Sequence, residues 1–159
     1  MEKARGKGQV ATEFLLYSGV FLFVVIAAFS VVSVIQKTEV GRHESQLSKE
    51  IGGTFSDGMT LAAHGGEGFN YSMAFPKYLL GTSYTVDFSR ANDGLIIMEW
   101  EGSYSTISHA YTVPLFDYEF YECFHKDGQR ITLVSDDNCD KDMFLYNNGD
   151  VVRITRRER

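Results

Sequence analysis

Apolar and polar positions divide the chain into three stretches with different periods. From Phe14 to Ile35 there are 22 consecutive residues without a charge. At about 1.5 Å per helical residue the run reaches roughly 33 Å, enough to cross a bilayer core. A helix apolar on every side has no face for water, so this one is expected to enter a membrane, at least at first. From Val40 the pattern becomes one-sided: Val40, Leu47, Ile51, Phe55 and Met59 recur at spacings of seven, four, four and four, while Arg42, Glu44, Lys49 and Glu50 fall on other faces. The spacing predicts the same helix continuing with one apolar stripe. Gly52-Gly53 weakens it by about 1 kcal/mol per glycine relative to alanine, and a kink is expected there.

"HGGEG", residues 64–68, reads as the end of the helix and a joint. Beyond it the helical period is gone. "FNYSMAF", "YTVDFS", "LIIMEW", "YSTISHAYTV", "FDYEFYECF", "RITLVS", "MFLYN" and "DVVRIT" are β-branched or aromatic runs separated by turn residues, with Asn/Asp-Gly signals in "ANDG", "KDGQ" and "NNGD". Six to eight short strands predict an α+β chain: a long N-terminal helix followed by a small antiparallel β-sandwich-like domain, one side covered by the helix stripe.

Charge orients this scheme. Lys3, Arg5 and Lys7 precede the apolar run, while Lys37 and Arg42 follow it among Glu39 and Glu44. Three cations against two favour a cytoplasmic N-terminus, with everything after Ile35 exported. The run is longer than the core of an ordinary secretory signal, and no A-x-A-like cleavage site follows it. A net charge of -6 argues against a nucleic-acid partner. Arg153, Arg156, Arg157 and Arg159 form a local basic end, read as a solvated strand terminus because no aromatic platform is interleaved with them in sequence. Cys123 and Cys139 fall on the exported side, where disulfides persist; a bridge between them is expected to add about 3 kcal/mol.

The junction "KGQVATEF" sharpens the picture. With the basic leader, the long helix and the β domain behind it, this stretch resembles the archaeal class III signal peptide of type IV pilins. In that family a prepilin peptidase cuts after the glycine and ahead of a glutamine. The resemblance implies a cleaved leader over 1–8, a helix over 9–63 whose residues 14–35 form the transmembrane segment and later the filament core, a joint at 64–68 and an exported β domain over 69–159. Gly8 and Gln9 become the processing site, and Glu13 and Phe14 the assembly residues at mature positions five and six. The implied partners are the prepilin peptidase, the pilus assembly machinery, other pilin subunits and, before assembly, the membrane. The implied destination is a cell-surface filament of the kind used in cell adhesion.

Each element also has a physical reading. Cutting on the cytoplasmic side leaves the apolar helix attached, and removes Lys3, Arg5 and Lys7 against Glu2, a change from -6 to -8. It creates an α-amino group on Gln9 with a pKa of roughly 7.7–8. Buried among helices, that cation needs a partner, and Glu13 can supply it; such a pair sets axial register more than it adds stability. For Glu13 alone the simpler reading is an acid near a helix N-terminus, worth about 0.3–1 kcal/mol.

Other candidates are weaker in pattern. "DDNCDKD" places Asp136, Asn138, Asp140 and Asp142 at alternate positions, the opening of a calcium loop. Lys141 stands where that loop has glycine and Asn147 where it has glutamate, so a solvated acidic loop is preferred and Ca²⁺ is the alternative to having no cofactor. Asn70-Tyr71-Ser72 is a glycosylation sequon. Cys123 with His125 lacks the further ligands or orienting partner of a metal or nucleophile site. His109 shares a strand face with Ile107, Tyr111 and Val113 and reads as a packed or edge histidine. No motif for an enzyme is present, and none is expected. The alternatives to a major filament subunit are a single-pass membrane-anchored binding module and an accessory pilin.

Overall fold

The computed structural model describes residues 5–103 and 105–158, with side chains described over 11–103 and 105–157. Met1 to Ala4 of the expected leader, Tyr104 and Arg159 lie outside the described residues. One helix, α1 (Arg5–His64), precedes nine strands among the described residues. They are β1 (Asn70–Ala74), β2 (Tyr84–Asp87), β3 (Leu95–Glu101), β4 (Thr106–Thr112), β5 (Asp117–Phe120), β6 (His125–Asp127), β7 (Arg130–Val134), β8 (Cys139–Asn147) and β9 (Val151–Glu158). Two compact units result, Met1–Val40 and Gly41–Arg159, so residues 41–64 of α1 belong to the same unit as the strands.

The strands form two sheets, in the orders β1-β8-β9-β5 and β4-β3-β2-β7-β6. The α+β class expected from the pattern is the one observed. The sheets are not wholly antiparallel: β5 runs parallel to β9, with Asp117 opposite Val151 and Phe120 opposite Ile154. Three strands intervene in sequence between this pair, and no local signal encodes so distant a pairing. β6 was not expected either; its three residues, "HKD", are all exposed and carry no apolar alternation. It forms a hairpin with β7 across the Asp127-Gly128 turn, where Gly128 adopts φ 60°, a conformation that disfavours other residues.

Period-2 alternation builds the core of this unit. β3 turns Ile96, Met98 and Trp100 inward, β8 turns Met143 and Leu145 inward, and β9 turns Val152 and Ile154 inward. From α1, Phe55, Met59 and Ala62 are fully buried, with Leu47 and Ile51 partly so. Phe55 meets Phe75 at 5.3 Å between ring centroids, and Phe88 meets Phe120 at 5.0 Å and Phe124 at 5.9 Å. Aromatic contacts at these separations add to the area term. Val40, expected in the stripe, is instead exposed and lies in the other unit, because the packed face begins only after Gly41.

α1 stays helical through Gly52-Gly53. Gly52 serves a contact: a Cβ there would stand 2.3 Å from the Tyr111 ring, so only glycine admits that ring against the helix. Gly58 likewise gives room to Met73, whose sulfur would be 2.7 Å from an added Cβ. Polar bonds flank these contacts. The Tyr111 hydroxyl donates to the Ser48 carbonyl at 3.2 Å, and Ser56 Oγ donates to the Thr112 carbonyl at 2.6 Å. Buried Glu44 accepts from Ser103 N at 3.1 Å and Ser103 Oγ at 2.5 Å. At the helix end, Asn147 Nδ2 donates to the carbonyls of Ala62 at 2.8 Å and Ala63 at 3.3 Å, satisfying acceptors that a helix terminus leaves open.

Candidate assembly helix

Within the first unit, the apolar half of α1 has no protein around it. Phe14, Phe21, Phe23 and Phe29 are 70–73% exposed, and none of the most apolar window is buried. α1 is long and apolar enough to cross a membrane, which makes it compatible with a membrane anchor. Soluble monomers rarely expose contiguous apolar patches larger than a few hundred Å², and a run of exposed apolar residues such as this one is compatible with cover by lipid or by other helices.

The few hydroxyls in this half suit either medium. Ser30 Oγ donates to the Ile26 carbonyl at 2.9 Å, Ser33 Oγ to Phe29 at 2.9 Å and Thr38 Oγ1 to Val34 at 3.0 Å. Each of these three is satisfied one turn back within the helix, so it keeps its partner when water is removed. Gly8 and Gln9 lie within α1, three and four residues past its start at Arg5. Glu13 follows Gln9 by one helical turn, about 6 Å of rise, which places the two positions on one face. Glu13 and Phe14 are both exposed.

The candidates in the second unit lie apart from this segment in sequence and are built differently. Asn70 opens β1, an edge strand of its sheet, and is exposed. Cys123 and Cys139 form a disulfide, with Cα atoms 6.1 Å apart, which removes Cys123 from nucleophile or metal chemistry beside the exposed His125. Of the residues in the candidate calcium pattern, Asp140 and Asp142 lie within strand β8, where Asp142 pairs with Ala74, and Asp136 and Asn138 precede that strand. Among the described residues no group of three or more His, Cys, Asp or Glu side chains could hold a metal ion. His109 is half-buried on the edge strand β4 beside Ser45 at 3.3 Å; burial first, and Lys49 second, push its pKa down.

The reading of the C-terminal arginines as a solvated end is corrected at Arg156. Its side chain has no exposed surface and forms two bonds to Asp137, at 2.6 and 2.8 Å. It also donates to the Asp140 and Cys123 carbonyls and lies 5.1 Å from the centre of the Phe75 ring. Alternation carried the signal: Val152, Ile154 and Arg156 share the inward face of β9. The same alternation turns Arg153 and Arg157 outward, where β8 supplies the aromatic neighbours that the C-terminal sequence itself lacks: Arg157 lies 5.1 Å from the Phe144 ring centre.

Comparison of the chain with protein-family models, with curated proteins and with solved structures found no match.

Proposed function

We propose that this chain is a type IV pilin-like structural subunit. It is cut between Gly8 and Gln9 by a prepilin peptidase, held in the membrane by α1 until assembly, and then built into a cell-surface filament through the same helix. The observation that carries the reading is the contrast within α1. Residues 14–35 are uncharged and almost wholly exposed, whereas residues 41–64 are built into the β unit with buried Phe55, Met59 and Ala62. A simple anchor needs the first half only as a lipid-facing span. In a subunit, that half moves from lipid into a bundle of like helices, and its self-satisfied hydroxyls and interspersed Gly19, Ala27 and Ala28 suit close helix approach.

The junction supports the processing step. Gly8 weakens the first turn of α1 by about 1 kcal/mol relative to alanine, which eases the local opening a protease requires. N-terminal sequencing of protein recovered from cells is expected to begin at Gln9, and an intact Met1 overturns the proposal. Recovery of the chain in filaments sheared from the surface tests assembly. An uncut chain that stays with the membrane fraction under shear points instead to the anchored binding module, which the arginine and aromatic side chains on the outer face of β8 and β9 favour.

A further inference from the structure

The outer face of the β1-β8-β9-β5 sheet carries a groove of about 610 Å³ whose lining includes Phe144, Tyr146, Arg153, Arg157, Tyr121 and Glu122. Three separate stretches of sequence supply these side chains, and no local motif advertises the site. The sheet register assembles them. Phe144 and Tyr146 are two apart on β8 and so point to one side, and Tyr146 pairs with Arg153 across the β8-β9 ladder. Arg157 is held over the Phe144 ring at 5.1 Å, and Arg153 lies 3.6 Å from Glu119, which also accepts from the Tyr121 hydroxyl at 2.5 Å. Tyr121 and Tyr146 are 45% and 42% exposed, so two phenol faces and edges are open to a ligand.

We propose that this groove binds an acidic saccharide, a sugar chain bearing carboxylates. Three features select that class. Arg157 lies over the Phe144 ring, and a guanidinium so placed can offer its fork to a planar anion in two parallel hydrogen bonds. The aromatic faces of Phe144 and Tyr146 give the C–H faces of sugar rings an apolar floor, while the tyrosine hydroxyls meet their polar edges. Glu119 and Glu122 stand among the arginines and accept hydrogen bonds from sugar hydroxyls, which the deoxyribose-phosphate backbone of DNA lacks. The site lies wholly within the unit Gly41–Arg159 and does not depend on whether the chain polymerises.

The test uses the full chain in phosphatidylcholine nanodiscs, free of sugar-based detergent, titrated calorimetrically with tetragalacturonate, neutral cellotetraose and a twelve-residue oligothymidylate. Tetragalacturonate is expected to bind about tenfold or more tightly than cellotetraose, which corresponds to the loss of one charge-assisted contact. Arg157→Gln and Phe144→Ala should each weaken it about tenfold at unchanged melting temperature, whereas Arg90→Gln in the β2-β3 turn leaves it unaltered. Equal affinity for cellotetraose overturns the acidic specificity, and tighter binding of the oligothymidylate overturns the saccharide class. No heat at millimolar tetragalacturonate, confirmed by unchanged amide shifts of Phe144 and Arg157 in nuclear magnetic resonance spectra, overturns the site itself.

Discussion

Arg156 donates two parallel hydrogen bonds to Asp137, Nη1 to Oδ2 at 2.6 Å and Nη2 to Oδ1 at 2.8 Å, from a side chain with no exposed surface. A buried ion pair of this kind is a weak source of net stability, because desolvation of both charges offsets their attraction. Removing one partner is another matter. Asp137→Ala leaves the guanidinium buried without its counter-charge and is expected to destabilise by about 3–5 kcal/mol. Arg156→Met with Asp137→Ala should recover much of that loss, since both charges leave together. Chemical unfolding of the two variants and the parent closes the cycle; a double variant no more stable than Asp137→Ala would show that packing, not charge, sets the penalty.

The disulfide acts on the same corner. Cys123 offers its carbonyl to Arg156 Nη1 at 3.2 Å, so the crosslink and the ion pair share a backbone segment. Chain entropy alone predicts a loss of about 3 kcal/mol when a loop of this size is opened. Reduction should therefore lower the melting temperature by roughly 10 °C, a shift in the range expected for a unit of this size. In Asp137→Ala the further drop on reduction should be smaller, because neighbouring perturbations that share a partner do not add. Melting curves with and without a phosphine reductant measure both.

What the sequence makes legible, and what it hides, divides by range. The 22-residue apolar run, the stripe at Phe55 and Met59 and the alternation of β3 are local patterns, and each maps onto the observed element. The disulfide partners are readable because two cysteines allow one bridge. The β5-β9 parallel pairing and the groove with Arg157 over Phe144 depend on which strands become neighbours, and no local pattern states that. Arg156 sits between these cases. Its inward direction follows from Val152 and Ile154, yet a run of arginines reads as solvated until Asp137 is seen to meet it. Gly52 is ambiguous for a related reason, since a glycine that weakens a helix and one that admits a neighbouring ring look identical in sequence.

Gly52 and Gly53 give the sharpest contrast between those two roles. Both lie inside α1, where alanine is ordinarily favoured over glycine by about 1 kcal/mol. At Gly53 an added Cβ meets nothing within 4 Å, and Gly53→Ala is expected to stabilise by about 0.5–1 kcal/mol. At Gly52 the same methyl collides with Tyr111 at 2.3 Å, and overpacking should destabilise by about 1–3 kcal/mol despite the better helix propensity. Tyr111→Ala should relieve the clash, so the double variant separates ring contact from helix geometry. Equal and positive shifts at both glycines would return them to the role of helix weak points.

Acid sensitivity has a defined sign. Folding lowers the pKa of His109, by burial first and by Lys49 second, against a hydrogen bond to Ser45. As pH falls from about 6.5, the unfolded chain protonates first, so it binds more protons across the window below that value and stability falls with pH. The contribution is complete above the unfolded pKa and is lost as pH drops through the folded one. Asp87 follows the same sense in a lower window. Burial pushes its carboxyl up, but hydrogen bonds from Ser89 and the Arg130 guanidinium outweigh burial and hold it below 3.8. Melting temperatures between pH 8 and 5 should decline below about pH 6.5, and His109→Gln should flatten that decline. An unchanged slope in the variant would move its source to another group.

Glu13 is the residue on which the filament reading turns. If cleavage exposes an amine on Gln9, a cation with pKa of roughly 7.7–8 enters a medium of low dielectric, and leaving it unpaired costs several kcal/mol. Glu13 stands one turn along α1 at about the rise a short ion pair can span, either within one chain or to the next. Processing does not require this carboxylate, since the scissile bond lies four residues ahead of it. Glu13→Ala is therefore expected to give a normally cut subunit and at least about a tenfold loss of sheared filaments, the minimum that one uncompensated charge implies. Glu13→Gln keeps the volume and the hydrogen-bonding carbonyl while removing the charge, and should fail in the same way. Wild-type filament yield from Glu13→Gln would show that shape suffices, and wild-type yield from Glu13→Ala would remove the register role altogether while leaving the cleavage proposal intact.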